Sequence, residues 1–259
     1  MPIFKGQFVG MTIQIALALV IYLLLRKTRN GGTLPKIRRL AGLDAIDEAI
    51  GRSTEMGRPT IFANGSNGLD DAQTIASFPV LSYAARSCAR YDTKLIAVSY
   101  VPSVYPVMEA IVRTSYLEAG KGDSYDQINT VRFIASGWGA AASALQGTMR
   151  REKVSACLYM GAFFAETTMI CEVGASLGAI QVAGTAQTAQ LPFMISSCDY
   201  TLIGEELYAA GAYLSKDDVQ KVNLVALDYA KFLSVALIII GALLATFGDS
   251  TPLKNILNF

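Results

Sequence analysis

Three short stretches place glycine and polar side chains directly after an apolar run, where a parallel sheet would present them to a ligand. The first is Asn64-Gly65-Ser66-Asn67-Gly68, followed by Leu69, Asp70 and Asp71. Its backbone amides could cradle an anion, such as a nucleotide or an acidic metabolite, at the start of a helix. The same residues also suit a plain turn closed by Asp70 or Asp71 as a helix cap. The stretch has neither the P-loop lysine nor the G-x-G-x-x-G spacing. The second, Ser136-Gly137-Trp138-Gly139, sets the only tryptophan between two glycines. It is either an aromatic plug in a tight turn or a stacking platform. The third is Gly184-Thr185-Ala186-Gln187, small and polar after a predicted strand.

Other chemistry is narrow. The chain contains no histidine, which excludes histidine general acid–base catalysis, Ser-His-Asp and Cys-His triads, and histidine-held zinc or haem within this chain. The cysteines Cys88, Cys157, Cys171 and Cys198 form no C-x-x-C pair; they read as buried free thiols, and no metal or other cofactor is expected. Carboxylates, lysine, cysteine and tyrosine remain as acid–base groups. Glu166 and Glu172 lie in an apolar helix, and Asp199, Tyr200, Glu205 and Glu206 follow the last predicted strand. A charge in an apolar stretch is paired, exposed or functional; Arg52, Arg58, Arg86, Arg90, Arg113 and Arg132 are available partners. Asp199–Glu206 is therefore an interface or a site. No catalytic residue stands out, and the balance leans away from an enzyme.

These residues are positioned by a regular alternation. Ala45–Met56 shows helical spacing and stops at Gly57, Arg58 and Pro59. Strands are predicted at Thr60–Ala63, Lys94–Tyr100, Thr130–Ala135, Ser155–Tyr159, Ile180–Ala183 and Phe193–Ser197. Helices are predicted at Asp71–Arg90, Ser103–Ala119, Gly139–Arg151, Glu166–Leu177 and Gly204–Leu214. Such alternation predicts an α/β domain with a parallel, Rossmann-like sheet covered on both faces. Its strand order is not readable from one sequence. Residues 140–145 and 166–179 are rich in small and apolar side chains. They pack either inside one subunit or against a second copy.

This domain lies between two apolar segments. Phe8–Leu25 and Phe232–Gly248 carry no charged residue and approach the length of about 20 residues that a bilayer core requires. They predict an N-terminal transmembrane helix in residues 1–29, a middle domain in 30–228 that opens with the linker Asn30–Pro35, and a C-terminal transmembrane helix with a short tail in 229–259. Arg26, Lys27, Arg29, Lys36, Arg38 and Arg39 follow the first segment, whereas only Lys5 precedes it. That bias places the middle domain in the cytoplasm and both termini outside the cell membrane. Unpaired cysteines agree with a reducing interior. Net charge is +1 in 259 residues, so no nucleic-acid partner is expected.

Two motifs carry a resemblance. Asp47-Glu48-Ala49 with Glu55-Met56-Gly57-Arg58-Pro59, and the run Cys198-Asp199-Tyr200-Thr201-Leu202-Ile203-Gly204-Glu205-Glu206-Leu207-Tyr208 continuing to Leu214, resemble a prokaryotic membrane protein family, domain of unknown function 6754. The resemblance brings neither substrate nor cofactor. Three functions stay open. The first is a membrane-anchored scaffold that assembles as a homo-oligomer, alone or within a larger membrane complex. Gly241 and Ala245 would let the second segment pack closely in such an assembly. The second is a membrane-tethered ligand-binding or enzymatic domain for a nucleotide or anionic metabolite. The third is a channel or transporter subunit, against which the lack of charge in the apolar segments argues.

Overall fold

The protein is described from a computed structural model, which describes residues 5–29, 41–214 and 218–247. The linker Asn30–Pro35, the basic residues Lys36, Arg38 and Arg39, and the tail Asp249–Phe259 lie outside the described residues.

The apolar runs form strands β1 (Thr60–Gly65), β2 (Leu95–Ser99), β3 (Val131–Phe133), β4 (Ala156–Ala162), β5 (Ile180–Thr185) and β6 (Tyr200–Ile203). They make one 6-stranded sheet in the order β3-β2-β1-β4-β5-β6, and every neighbouring pair is parallel. Every residue of β1, β2, β4 and β5 is buried. Helices on both sheet faces cause this, and it explains why these strands read as continuous apolar runs rather than as alternating patterns.

Successive side chains point to opposite faces and seed two cores. Phe62, Leu158 and Val182 join α2 (Ala41–Met56), α3 (Ala72–Arg90), α4 (Tyr105–Glu118) and α9 (Glu205–Leu214) through residues such as Ile46, Leu81, Met108 and Leu207. Ile61, Tyr159 and Ala183 join α6 (Trp138–Glu152), α7 (Glu166–Ser176) and α8 (Leu191–Ser197) through Leu145, Ile170 and Met194. A short α5 (Gln127–Thr130), capped by Asp126, leads into β3.

One predicted strand is corrected. Phe193–Ser197 lies in helix α8, which starts with Pro192 in its first turn. A short apolar run has no period of its own, and proline at a helix start decides for the helix. The sixth strand is instead Tyr200–Ile203, inside the motif expected to follow it.

The chain divides into two compact units, residues 37–214 and residues 1–36 with 215–259. The second unit holds α1 (Lys5–Arg29) and α10 (Asp218–Phe247), which pack against each other. Among the described residues no helix is long and apolar enough to cross a membrane. Several side chains of both predicted segments, including Phe8, Ile13, Leu237 and Ile240, lie outside the described residues.

Candidate functional site

From β1 the chain winds outward through β2 to β3. It then returns through α6 to β4 and winds the other way through β5 to β6. β1 and β4 are neighbours whose connections leave in opposite directions, the arrangement at which open parallel sheets bind ligands beyond their carboxyl ends. The Asn64–Asp70 loop sits at that point.

The two backbones meet there more closely than side chains would permit. Gly65 has φ +83°, and a Cβ on it would lie 2.3 Å from the Ala162 carbonyl oxygen. Gly161 has φ +132°, and its Cβ would lie 2.2 Å from the Asn64 carbonyl oxygen. The register shifts between Ala63 and Gly65, and the Ser66 amide donates to Ala162 O at 2.8 Å. Glycine is therefore required at both positions by space and by backbone angle.

Around this contact lies a group of polar atoms. The Ser66 hydroxyl donates to one carboxylate oxygen of Glu166, the first residue of α7. Glu166 is fully buried, and its other oxygen has no partner among the described residues. Among the described residues, both side-chain polar atoms of Asn64, also fully buried, lack a partner, as does the hydroxyl of Tyr100, which is 3% exposed. These groups come from the carboxyl ends of three adjacent strands, β2, β1 and β4. Burial pushes the Tyr100 phenol well above its ordinary value, and Glu166 adds to the effect. Burial and a neighbouring carboxylate both disfavour the phenolate, so Tyr100 is a hydrogen-bond donor at neutral pH.

The remaining loop residues divide. Asp71 caps α3 by accepting from the Gln73 amide at 2.6 Å, and it also accepts from the Asn67 side chain. A carboxylate thus occupies the place where a bound anion would lie. Gly68 lies beside the Asp70 carboxylate, and Asp70 is exposed. Gln73 ties the third loop to the first: its carbonyl oxygen accepts from the Ala186 amide at 2.7 Å and faces the Thr185 hydroxyl at 3.3 Å. Gln73→Ala would leave a backbone donor unpaired, at a cost of about 1–3 kcal/mol. The expected result is a lower melting temperature with faster hydrogen exchange at Ala186.

The other sequence candidates lie elsewhere. The Trp138 loop follows edge strand β3, and Trp138 is exposed. Beside β3 and α6 runs a groove of about 730 Å³, lined by Phe133, Ser143, Thr148 and Arg151 among others. Asp199 and Tyr200 stand at the amino end of β6: Asp199 accepts from the Gln181 amide at 2.8 Å, and the Tyr200 hydroxyl donates to Glu48 at 3.1 Å. Glu205 and Glu206 stand at the opposite end, where Glu206 accepts from the Ile203 amide at 3.1 Å. A four-residue strand is roughly 13 Å long, so these acids do not share one site. Glu172 is exposed, whereas Glu166 is paired with a serine rather than an arginine. Of the arginines, Arg86 pairs with Glu118 and Arg132 with Glu152.

Sequence reasoning set Glu166 apart only as a charge in an apolar helix, and it missed Tyr100. The available signal was position: each closes or follows an apolar run. Among the described residues no group of three or more acidic or cysteine side chains could hold a metal ion.

Comparison with curated proteins and with solved structures gives no match. Residues 3–256 match the family described as domain of unknown function (DUF6754), and with nearly its whole length covered the chain belongs to that family.

Proposed function

We propose that this protein is a membrane-tethered ligand-binding domain whose site is the crevice between β1 and β4. Its ligand is a small polar molecule that offers hydroxyl or amino groups. The observation behind this reading is the set of buried, unpartnered polar atoms on Asn64, Tyr100 and Glu166. Leaving such a group unpaired costs about 1–3 kcal/mol, so a fold retains several together where another molecule completes their bonds. The free carboxylate oxygen asks for a donor, the tyrosine offers one, and the asparagine amide does both. A sugar, a nucleoside or an amine fits this set. A phosphate fits poorly, because Asp71 already occupies the start of α3 and none of the three groups is cationic.

The tether is supported by α1 and α10. α1 contains the uncharged run Phe8–Leu25, and α10 contains Phe232–Phe247 of the second run. Large apolar side chains stand exposed on both, including Ile15 at 60%, Phe232 at 74% and Ile238 at 70%. Lipid accommodates such surface where water does not. The lysine and arginine bias around the first run supports a cytoplasmic side for the α/β domain. A self-assembling scaffold draws less support, because Ala141, Ala142, Cys171 and Gly174 are buried inside the domain. Any homo-oligomer would use other surfaces.

The test is thermal unfolding of the full chain in lipid nanodiscs with a panel of sugars, nucleosides, amino acids and polyamines. Ligand at about 100 times its Kd adds about 2.7 kcal/mol, which for a domain of this size raises the melting temperature by about 5–10 °C. If water alone completes the bonds, no compound shifts the transition and the reading fails.

A further inference from the structure

Cys171 on α7 and Cys198, in the turn between α8 and β6, hold their sulfur atoms 3.6 Å apart. They are 27 residues apart in the chain, so only the fold brings them together. Both are free thiols; Cys171 is buried and Cys198 is partly exposed. The neighbouring backbone fixes Cys198: its amide donates to Met194 O, and the next amide, of Asp199, donates to Gln181 O at 3.0 Å. Cys157 on β4 belongs to the same core, whereas Cys88 lies in the core on the other face of the sheet.

We propose that Cys171 and Cys198 are a modification site, a dithiol that a low-molecular-weight disulfide converts reversibly into an intramolecular disulfide joining α7 to the start of β6. Bonded sulfurs stand about 2.05 Å apart. The approach from 3.6 Å is a side-chain movement that the extended backbone at Cys198 (φ −104°, ψ 149°) can follow. In the first step the Cys198 thiolate attacks one sulfur of oxidised glutathione, and one glutathione thiolate leaves. In the second, the Cys171 thiolate attacks the Cys198 sulfur of the mixed disulfide, and the second glutathione leaves. The two cysteines lose two electrons and two protons; the two glutathione molecules gain them.

Contact with the Cys171 thiol, and then burial, hold the Cys198 thiol well above its ordinary value. The thiolate is the attacking species, so closure is slow at neutral pH and accelerates as pH rises.

The experiment treats the full chain in nanodiscs with oxidised glutathione at mildly alkaline pH and follows intact mass and peptide linkage. The expected product is lighter by about two hydrogen masses, links the peptides of Cys171 and Cys198, leaves Cys88 reduced, and reverts with dithiothreitol. Cys157→Ser should close in the same way, whereas Cys171→Ser should stop at a glutathione adduct on Cys198. A bridge that contains Cys157, a wild-type protein that stops at the adduct, or no change in mass would each overturn the proposal.

Discussion

Gly161→Ala is expected to lower the melting temperature of the α/β domain by about 6–12 °C. A left-handed backbone occupied by a non-glycine residue costs on the order of 1–3 kcal/mol. The new methyl group would also stand 2.2 Å from the Asn64 carbonyl oxygen. That neighbour is backbone within a central strand, so relief requires β1 and β4 to separate. A total of about 3 kcal/mol corresponds to the stated shift at about 2–4 °C per kcal/mol. Gly65→Ala faces the same obstacle from the other strand, with Ala162 O at 2.3 Å. Gly51, inside α2, is the control. Nothing lies within 4 Å of its Cβ position, and alanine there should raise stability by about 0.5–1 kcal/mol. Thermal unfolding followed by near-ultraviolet circular dichroism distinguishes these outcomes. Equal effects at Gly51 and Gly161 would mean that the close strand contact is not a constraint.

The sequence announced the elements better than their arrangement. Continuous apolar runs such as Ile96–Ser99 and Cys157–Tyr159 marked central strands because helices bury both faces of the sheet. The period-free run Phe193–Ser197 was ambiguous for the same reason, and Pro192 resolves it as a helix. Strand order depends on which face each crossover covers, and no local pattern encodes that. The reversal of strand order between β1 and β4 was therefore invisible, although the loop at that point, Asn64–Asp70, could be found from glycine and asparagine alone. Pairings distant in sequence were beyond reach. Ser66 with Glu166, Gln73 with Ala186, and Cys171 with Cys198 join segments that only the sheet brings side by side. Within the motif Asp199–Glu206, residues close in sequence stand at opposite ends of the strand they form.

Glu166→Gln is expected to raise the melting temperature of the ligand-free protein by about 2–8 °C while abolishing the ligand-induced shift. The substitution keeps the shape of the side chain and an acceptor for the Ser66 hydroxyl, but it removes the carboxylate. Burying a carboxylate oxygen without a partner costs more than burying an amide in the same place, so relief of about 1–2 kcal/mol is reasonable for a fully enclosed group. A residue retained only for stability would behave in the opposite way. If Glu166 serves to fasten α7 to the β1 loop through Ser66, weakening that bond must lower the melting temperature. The sign of the change therefore separates the two roles before any ligand is known. The paired measurement is binding. A glutamine still fills the site but replaces one acceptor oxygen with a donor, so a hydroxyl or amine that donates to Glu166 meets a second donor instead. A stabilised variant that still responds to the same ligand would place the binding contact elsewhere in the crevice, with Asn64 and Tyr100 as the next groups to vary.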